Sequence, residues 1–253
     1  ATVGGLIEPP ALLPLRDYSD DTAQETTMTD YRGKVYETGD LDYDSDPDRF
    51  RSSVAAVAKY GLMGDVHPEV AERMSRENLK LVLDVGCGEG RFSNAALAWG
   101  LSTIGLDQSD TMLAAVASPR IKGDAMRLPF RDGCFDGLVA LWMLYNVATP
   151  TDTISEAFRV LRPGGLFVAC APSRFNDPEL SEVLPSSSSG FDAENGVAQI
   201  EKIFRVVDVS RWDAPLIHLP DNKALAMYLR GRGLSEHEIE RSREIIPLPI
   251  TIT

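Results

Sequence analysis

The chain has 253 residues, 43% hydrophobic and 25% charged, which suits one α/β domain with additions. Its formal net charge of −13 argues against a nucleic-acid partner, because phosphate contacts need a basic surface. No apolar run reaches the roughly eighteen residues of a membrane helix, so no membrane partner is expected. The first twenty residues lack the basic-then-apolar order of a secretion signal, and the chain opens on Ala1 rather than methionine, as a trimmed chain would. Cys87, Cys134 and Cys170 are scattered and odd in number, giving neither a disulfide framework nor a zinc spacing. A cytoplasmic setting and no metal are therefore expected.

Residues 1–48 are rich in Pro, Asp, Thr and Tyr without a sustained period, and read as an N-terminal arm or lid. Residues 49–253 read as the main domain, with a core over 79–172 and a C-terminal, substrate-side portion over 173–253. Residues 49–62 and 67–78 look helical, with Pro68 suited to a first helical position. "LVLDV" (81–85) is a continuous apolar run, as expected of a strand buried on both faces. A helix follows over 91–100, with Phe92, Ala95, Ala96 and Trp99 on one face and Gly100 as its stop. "STIGLD" (102–107) is a second strand, and 109–117 a second helix with Ser109 as N-cap. Strands are expected at 120–124, within 134–144 and at 164–172, with a helix over 151–161 whose Ile154, Ala157, Phe158 and Leu161 share a stripe. Beyond a Ser-rich loop at 185–190 come a helix (192–204), a sixth strand (205–213) and helices over 222–231 and 235–243. The last of these opens with a capping box, Ser235 to Glu238. "PLPITIT" suits a final edge strand. Strands alternating with helices imply a doubly wound, mostly parallel sheet, seven-stranded, with helices on both faces.

The ligand of such a sheet binds beyond the carboxyl ends of its strands. Gly86, Gly88 and Gly90 fall at such an end, between a strand and a helix, where glycine permits close backbone approach. A P-loop would need Gly-Lys-Ser/Thr, and the chain has Gly90-Arg91-Phe92. A dinucleotide fingerprint would place its third glycine where Arg91 stands. Asp107 suits a ribose in either scheme. The third ligand for this architecture is S-adenosylmethionine, which has no pyrophosphate to cradle.

"LDVGCGEG" (83–90) resembles the first motif of the class I S-adenosylmethionine-dependent methyltransferases, an acid followed by G-x-G-x-G. "IGLDQS", "GDAMRLPFRDGCFD", "LWMLYNV" and "LRPGG" are similar to four further stretches of that family, in the right order. The likeness covers roughly residues 50–172 and is nearest to the small-molecule, type 11-like subgroup. It implies S-adenosyl-L-methionine as cofactor and S-adenosyl-L-homocysteine as product. The cofactor contacts it implies are Asp84, Gly86, Cys87, Gly88 and Gly90, then Asp107, Gln108 and Met112, then Asp124, Ala125 and Met126, and finally Leu141 and Met143. Asp84 can equally act by anchoring the turn, and Cys87 as a small residue between glycines.

Methyl transfer needs positioning, and a base only where the nucleophile must lose a proton. The subgroup reading "MLYHV" has a histidine where this chain has Asn146, which can orient an acceptor and cannot deprotonate it. Asn146, Tyr145 beside it and His218 are the catalytic candidates. Tyr31, Tyr36 and Trp142 are candidates for the lid and acceptor pocket. His67 reads as a capping or packing residue, and His237 as solvent-facing. The absence of N/D-P-P-Y/F after the fourth strand again favours a small-molecule acceptor over nucleic acid. Methyl transfer to oxygen or nitrogen of a small molecule, a bacterial secondary metabolite among them, is the leading expectation. C-methylation of a quinone or polyketide is the alternative, and a non-catalytic cofactor-binding partner protein the reading from another class. A monomer and a homodimer both remain open.

Overall fold

The computed structural model describes residues 28–29, 35–36, 42–184, 190–205 and 207–253. Two short strands, β1 (Met28–Thr29) and β2 (Val35–Tyr36), pair antiparallel. Three helices then precede the sheet: α1 (Asp42–Ser45), α2 (Pro47–Tyr60) and α3 (Val66–Arg76). Acids cap the two longer ones. Asp46 accepts the N–H of Arg49 at 3.1 Å, and Asp65 that of His67 at 3.0 Å, each satisfying an amide that the helix leaves without a partner.

Five strands form the main sheet: β3 (Leu81–Val85), β4 (Ser102–Asp107), β5 (Arg120–Lys122), β6 (Phe135–Leu141) and β7 (Leu161–Cys170). Their order is β5-β4-β3-β6-β7, with every pair parallel. The direction of winding reverses between β3 and β6, so their carboxyl ends border the crevice in which such sheets take ligands. All five residues of β3 are buried because helices cover both faces. On one face, Ile154, Ala157 and Val160 of α6 (Pro150–Val160) join Leu83, Val85, Leu138 and Ala140. On the other, Val70 and Met74 of α3 and Phe92 and Ala96 of α4 (Arg91–Leu97) join Val82, Val139 and Leu141. The short helices α5 (Asp110–Leu113) and α7 (Gly196–Ile200) follow β4 and β7.

The C-terminal elements gather around an apolar cluster of their own. Strands β8 (Ile217–Leu219) and β9 (Ile250–Ile252) pair antiparallel, and helices α8 (Asn222–Gly231) and α9 (Glu236–Ile245) pack beside them. Ala56 of α2 joins Leu219, Leu225, Leu229, Ile239 and Ile252 in this cluster. The expected capping box of α9 is formed, with both reciprocal bonds between Ser235 and Glu238.

Several expectations need correction. Among the described residues the main sheet has five strands, not seven, and β8 and β9 form a separate pair. Residues 207–213 are not a strand: no neighbour pairs with them, Val209 and Trp212 are exposed, and Asp208 reaches Arg73 at 3.0 Å. The helix expected over 192–204 spans only α7, and that expected over 109–117 only α5. Trp99 leaves the buried face because α4 ends two residues earlier. The N–H of Gly100 then bonds Leu97 O, and that of Leu101 bonds Ala96 O, the double bond of a Schellman turn around Gly100 at φ 71°. Phe158 lies outside the α6 stripe, exposed and edge-on to Phe204 at 5.4 Å. Residues 185–189 of the Ser-rich loop lie outside the described residues.

α2 meets α8 where Gly231 lacks a side chain: a Cβ there would sit 2.6 Å from Ser53 Cα and 2.7 Å from Ser53 N. Helix propensity alone favours Gly231→Ala by roughly 1 kcal/mol. Backbone at that range cannot yield, so overpacking decides and the substitution should cost about 1–3 kcal/mol. A lower urea midpoint at constant slope is the expected outcome; a raised midpoint would mean that the two helices do not meet this closely.

Candidate functional site

At the carboxyl end of β3 the chain turns on three glycines. Gly86, Gly88 and Gly90 have φ of 66°, 53° and 81°, the left-handed region in which a Cβ is strained. At Gly86 a Cβ would also lie 2.6 Å from Cβ of Met143, so this turn passes directly against the end of β6. The turn is pinned to β4. The amides of Gly86 and Cys87 both donate to Leu106 O, at 2.7 and 3.1 Å. The Gly88 N–H donates to Asp107 Oδ2 at 2.9 Å, and the Ser109 N–H to Asp107 Oδ1 at 3.0 Å. Cys87 packs over Gly105, where a Cβ would lie 2.9 Å from its sulfur. Burial, then Asp84 and Asp107, push its thiol far up, which makes it a packing residue and no nucleophile.

Asp84 is buried and accepts the Ser93 hydroxyl at 3.1 Å, tying β3 to the first turn of α4. Burial is the largest cause that pushes its carboxyl up, to about 7. Burial also raises Asp107, against the opposing pull of its backbone N–H partners. Along the neighbouring loop Asp124 accepts the Met126 N–H at 2.8 Å and the Gln108 side-chain amide at 3.3 Å. Ala125 and Met112 are buried, and Met126 half-buried.

The end of β6 carries the other group of expected residues. Leu141 and Met143 are buried; Trp142 between them is 37% exposed. Trp142 has φ 60°, a conformation a bulky residue rarely holds, and its N–H donates to Cys170 O at 2.9 Å. Tyr145 and Asn146 follow in a single 3-10 turn, Leu144–Asn146, both half-buried. The structure thus brings the glycine turn, Asp107, the Gln108–Asp124 pair, Met143 and the Trp142–Asn146 segment to the carboxyl ends of β3, β4 and β6. His218 stands in the separate β8–β9 pair, exposed, with Nδ1 3.0 Å from the Thr251 hydroxyl. Of the arm, Tyr31 lies outside the described residues, and Tyr36 is described only as part of β2.

Sequence reasoning missed the residues that lie over the turn. The Phe50 ring of α2 sits on Gly88, 3.2 Å from where a Cβ would be. Tyr43 meets Phe50 edge-on at 5.6 Å. Arg51 reaches Glu89, inside the turn, at 3.0 Å. Asp44 of α1 accepts the Ser109 hydroxyl and, at 3.2 Å, the Thr111 N–H; the Ser109 bond is the main cause of its lowered pKa. None of these residues belongs to a recognisable motif.

Residues 83–169 match the model of a methyltransferase domain. A demethylmenaquinone methyltransferase of Mycolicibacterium vanbaalenii is 35% identical over 183 residues, which cover 65% of this chain and 74% of that protein. The chain belongs to the class I S-adenosylmethionine-dependent methyltransferases. The demethylmenaquinone methyltransferase of Symbiobacterium thermophilum is 39% identical over 107 residues, 37% of this methyltransferase but only 43% of that relative's length. A crystal structure from Anabaena variabilis, whose description names a methyltransferase from an antibiotic biosynthesis pathway, shares the fold. Its TM-score is 0.53 at 15% identity, covering 72% of this chain and 85% of that one. Among the described residues no helix is long and apolar enough to cross a membrane.

Asp84 gives this methyltransferase a defined pH dependence. Its carboxyl is raised from 3.8 to about 7 on folding, so between those values the folded chain holds a proton that the unfolded chain has lost. Its stabilising contribution is complete below pH 3.8 and disappears as pH rises through about 7. Asp84→Asn should remove this slope. The stability difference, variant minus wild type, is expected to grow from pH 4.5 to 7 and level off above, read by urea unfolding. A pH-independent difference would mean that Asp84 is ionised throughout.

Proposed function

We propose that this methyltransferase transfers a methyl group to a ring carbon of a small reduced quinone. The observation that carries the reading is the 35% identity, over 74% of its length, to a protein named demethylmenaquinone methyltransferase. A relative from Roseobacter denitrificans, 34% identical over 154 residues, is named a ubiquinone/menaquinone biosynthesis C-methyltransferase. These names support the C-methylation alternative and lend nothing to O- or N-methylation of a secondary metabolite.

The donor set fits the cofactor. Asp107 ends β4 as a carboxylate held in place by backbone N–H groups, Gly88 on one oxygen and Ser109 on the other, and such an acceptor suits the two neighbouring hydroxyls of a ribose. Gly86, Gly88 and Gly90 let the backbone meet the amino-acid part closely. Asp124, Gln108 and the apolar Ala125, Met112, Met126 and Met143 suit a flat base with an amino group. The cofactor supplies an electrophilic methyl on a sulfonium. The chain then has to hold the acceptor carbon in line, at about 3–3.5 Å from that methyl. Trp142, exposed at the strand end, offers a face for a planar ring; Tyr145 and Asn146 beside it can orient a ring oxygen. α1 and the start of α2 act as the lid, through Asp44, Phe50 and Arg51, and residues 173–253 border the acceptor side.

Two measurements test this. With a labelled methyl donor and a naphthoquinol that lacks its ring methyl, label should appear as a carbon-bound methyl in the product's NMR spectrum. Label on oxygen, or none, would sink the acceptor assignment. Asp107→Asn, which replaces a charged acceptor by an amide, should weaken S-adenosylhomocysteine binding at least tenfold by calorimetry, since each charge-assisted bond is worth about 1.5–3 kcal/mol. Unaltered affinity would reduce Asp107 to an anchor of the turn.

A further inference from the structure

C-methylation of a quinol needs its hydroxyl ionised, so that charge reaches the ring carbon, and Asn146 cannot take that proton. A second group at the same end of the sheet can. His67, in the first turn of α3, is buried, its side chain 9% exposed. Its Nδ1 lies 2.5 Å from Asp65 Oδ1. The other oxygen of Asp65 receives Arg91 Nη2 at 2.9 Å, and Arg91 directly follows Gly90 of the glycine turn.

Topology sets the height of this group. α3 ends at Arg76 and β3 begins at Leu81, so the helix runs back alongside the sheet, with its first turn toward the carboxyl ends of the strands. Met74 Cε lies 3.2 Å from the position of a Cβ on Gly137, low on β6. Seven residues back to His67 climb about 10 Å at 1.5 Å each. From Gly137 to Leu141 the strand climbs about 13 Å. His67 therefore stands near the level at which Leu141 gives way to Trp142. The Asp65–Arg91 pair confirms the placement from the other side, because it joins the first turn of α3 to that of α4.

We propose that His67, oriented by Asp65, is the base that accepts the acceptor's hydroxyl proton. This rests on the quinol reading above. The short contact to the carboxylate places the proton on Nδ1 and leaves Nε2 with its lone pair, the arrangement a base needs. Burial, with Arg91 adding, lowers the imidazole's pKa below 6.5 against the opposing pull of Asp65, so the ring is neutral at pH 7. Among the described residues, those two are the charged groups that act on it. In the step, the O–H proton moves to Nε2 and the ring carbon forms its bond to the methyl. The carbon–sulfur bond breaks with its electron pair left on sulfur. Loss of the ring C–H proton, with return of one to oxygen, restores the aromatic quinol, and one proton is released overall.

The test uses the full chain. Turnover of a demethylated naphthoquinol by wild type should fall on an acidic limb as Nε2 becomes protonated. His67→Gln should lose that limb and run about 10²–10⁴-fold slower at pH 7, with S-adenosylhomocysteine affinity within threefold. Asp65→Asn, which keeps the capping oxygen without the charge, should move the limb to lower pH; it also covers the case in which His67→Gln does not fold. A His67→Gln enzyme that keeps the limb and its rate overturns the assignment, as does an unmoved limb in Asp65→Asn. Nitrogen NMR supplies the separate arm. His67 should show the Nδ1–H tautomer, and its Nε2 signal should shift on adding S-adenosylhomocysteine with naphthoquinol. If wild type binds S-adenosylhomocysteine but methylates no naphthoquinol, the acceptor reading fails and the imidazole signals decide alone. A shift caused by S-adenosylhomocysteine then keeps His67 at the transfer site, and unmoved signals remove it.

Discussion

The site depends on one carboxylate. Asp107 ends β4, and its two oxygens hold the Gly88 amide of the turn after β3 and the Ser109 amide at the start of α5. Three pieces of chain that the sheet merely brings close are thereby fixed to one another. The Leu106 carbonyl one residue earlier takes the Gly86 and Cys87 amides, so the turn is bonded to β4 at three of its N–H groups. A glycine-rich turn is costly to order, because its residues lose the most conformational freedom on folding. These bonds hold it in the left-handed geometry in which a residue with a Cβ is strained. They also explain why Gly105 stands in the middle of β4: only there does the strand leave room for the Cys87 side chain.

Acids concentrated at one end of a sheet bear on stability as well as on binding. Asp84 and Asp107 are both withdrawn from water, and the charge of Asp107 adds to the burial that raises Asp84, as that of Asp44 adds to the burial that raises Asp107. Among the described residues no lysine or arginine pairs with either. Hydroxyl and amide donors partner them instead, and these offset desolvation without neutralising charge. Asp65 differs: His67 and Arg91 outweigh its burial and lower its pKa. The chain thus leaves these two acids without a cationic partner among the described residues and pairs Asp65 with two.

How much of this was legible in the sequence follows from what each element depends on. β3 was readable because a strand covered on both faces is a nearly continuous apolar run, and β4 and β6 because they alternate with helices after it. The capping box of α9 and the Ser109 cap of α5 were readable because they are local, closed within a few residues. The segment over 207–213 has the alternation of a strand, but a strand exists only where another offers its edge, and that is decided far along the chain. Trp99 and Phe158 fell on the expected stripes yet lie outside the core, because helix ends and flanking aromatics change which face is covered. In the candidate site, the glycines and Asp107 were legible through their spacing. Phe50, Asp44 and the Asp65–His67 pair were not, since a covering residue needs only to arrive at the right height, and any helix can deliver it.

Helix α2 touches both parts of the molecule. Near its start Phe50 rests on Gly88, and further along Ser53 and Ala56 meet α8 and the C-terminal cluster. A helix of 14 residues is about 21 Å long and moves as a rod. Packed interiors do not absorb such a shift by compression. The ring set on Gly88 and the backbone set against Gly231 thus belong to one helix. The glycine turn and the C-terminal unit share no strand, and both pack against that helix.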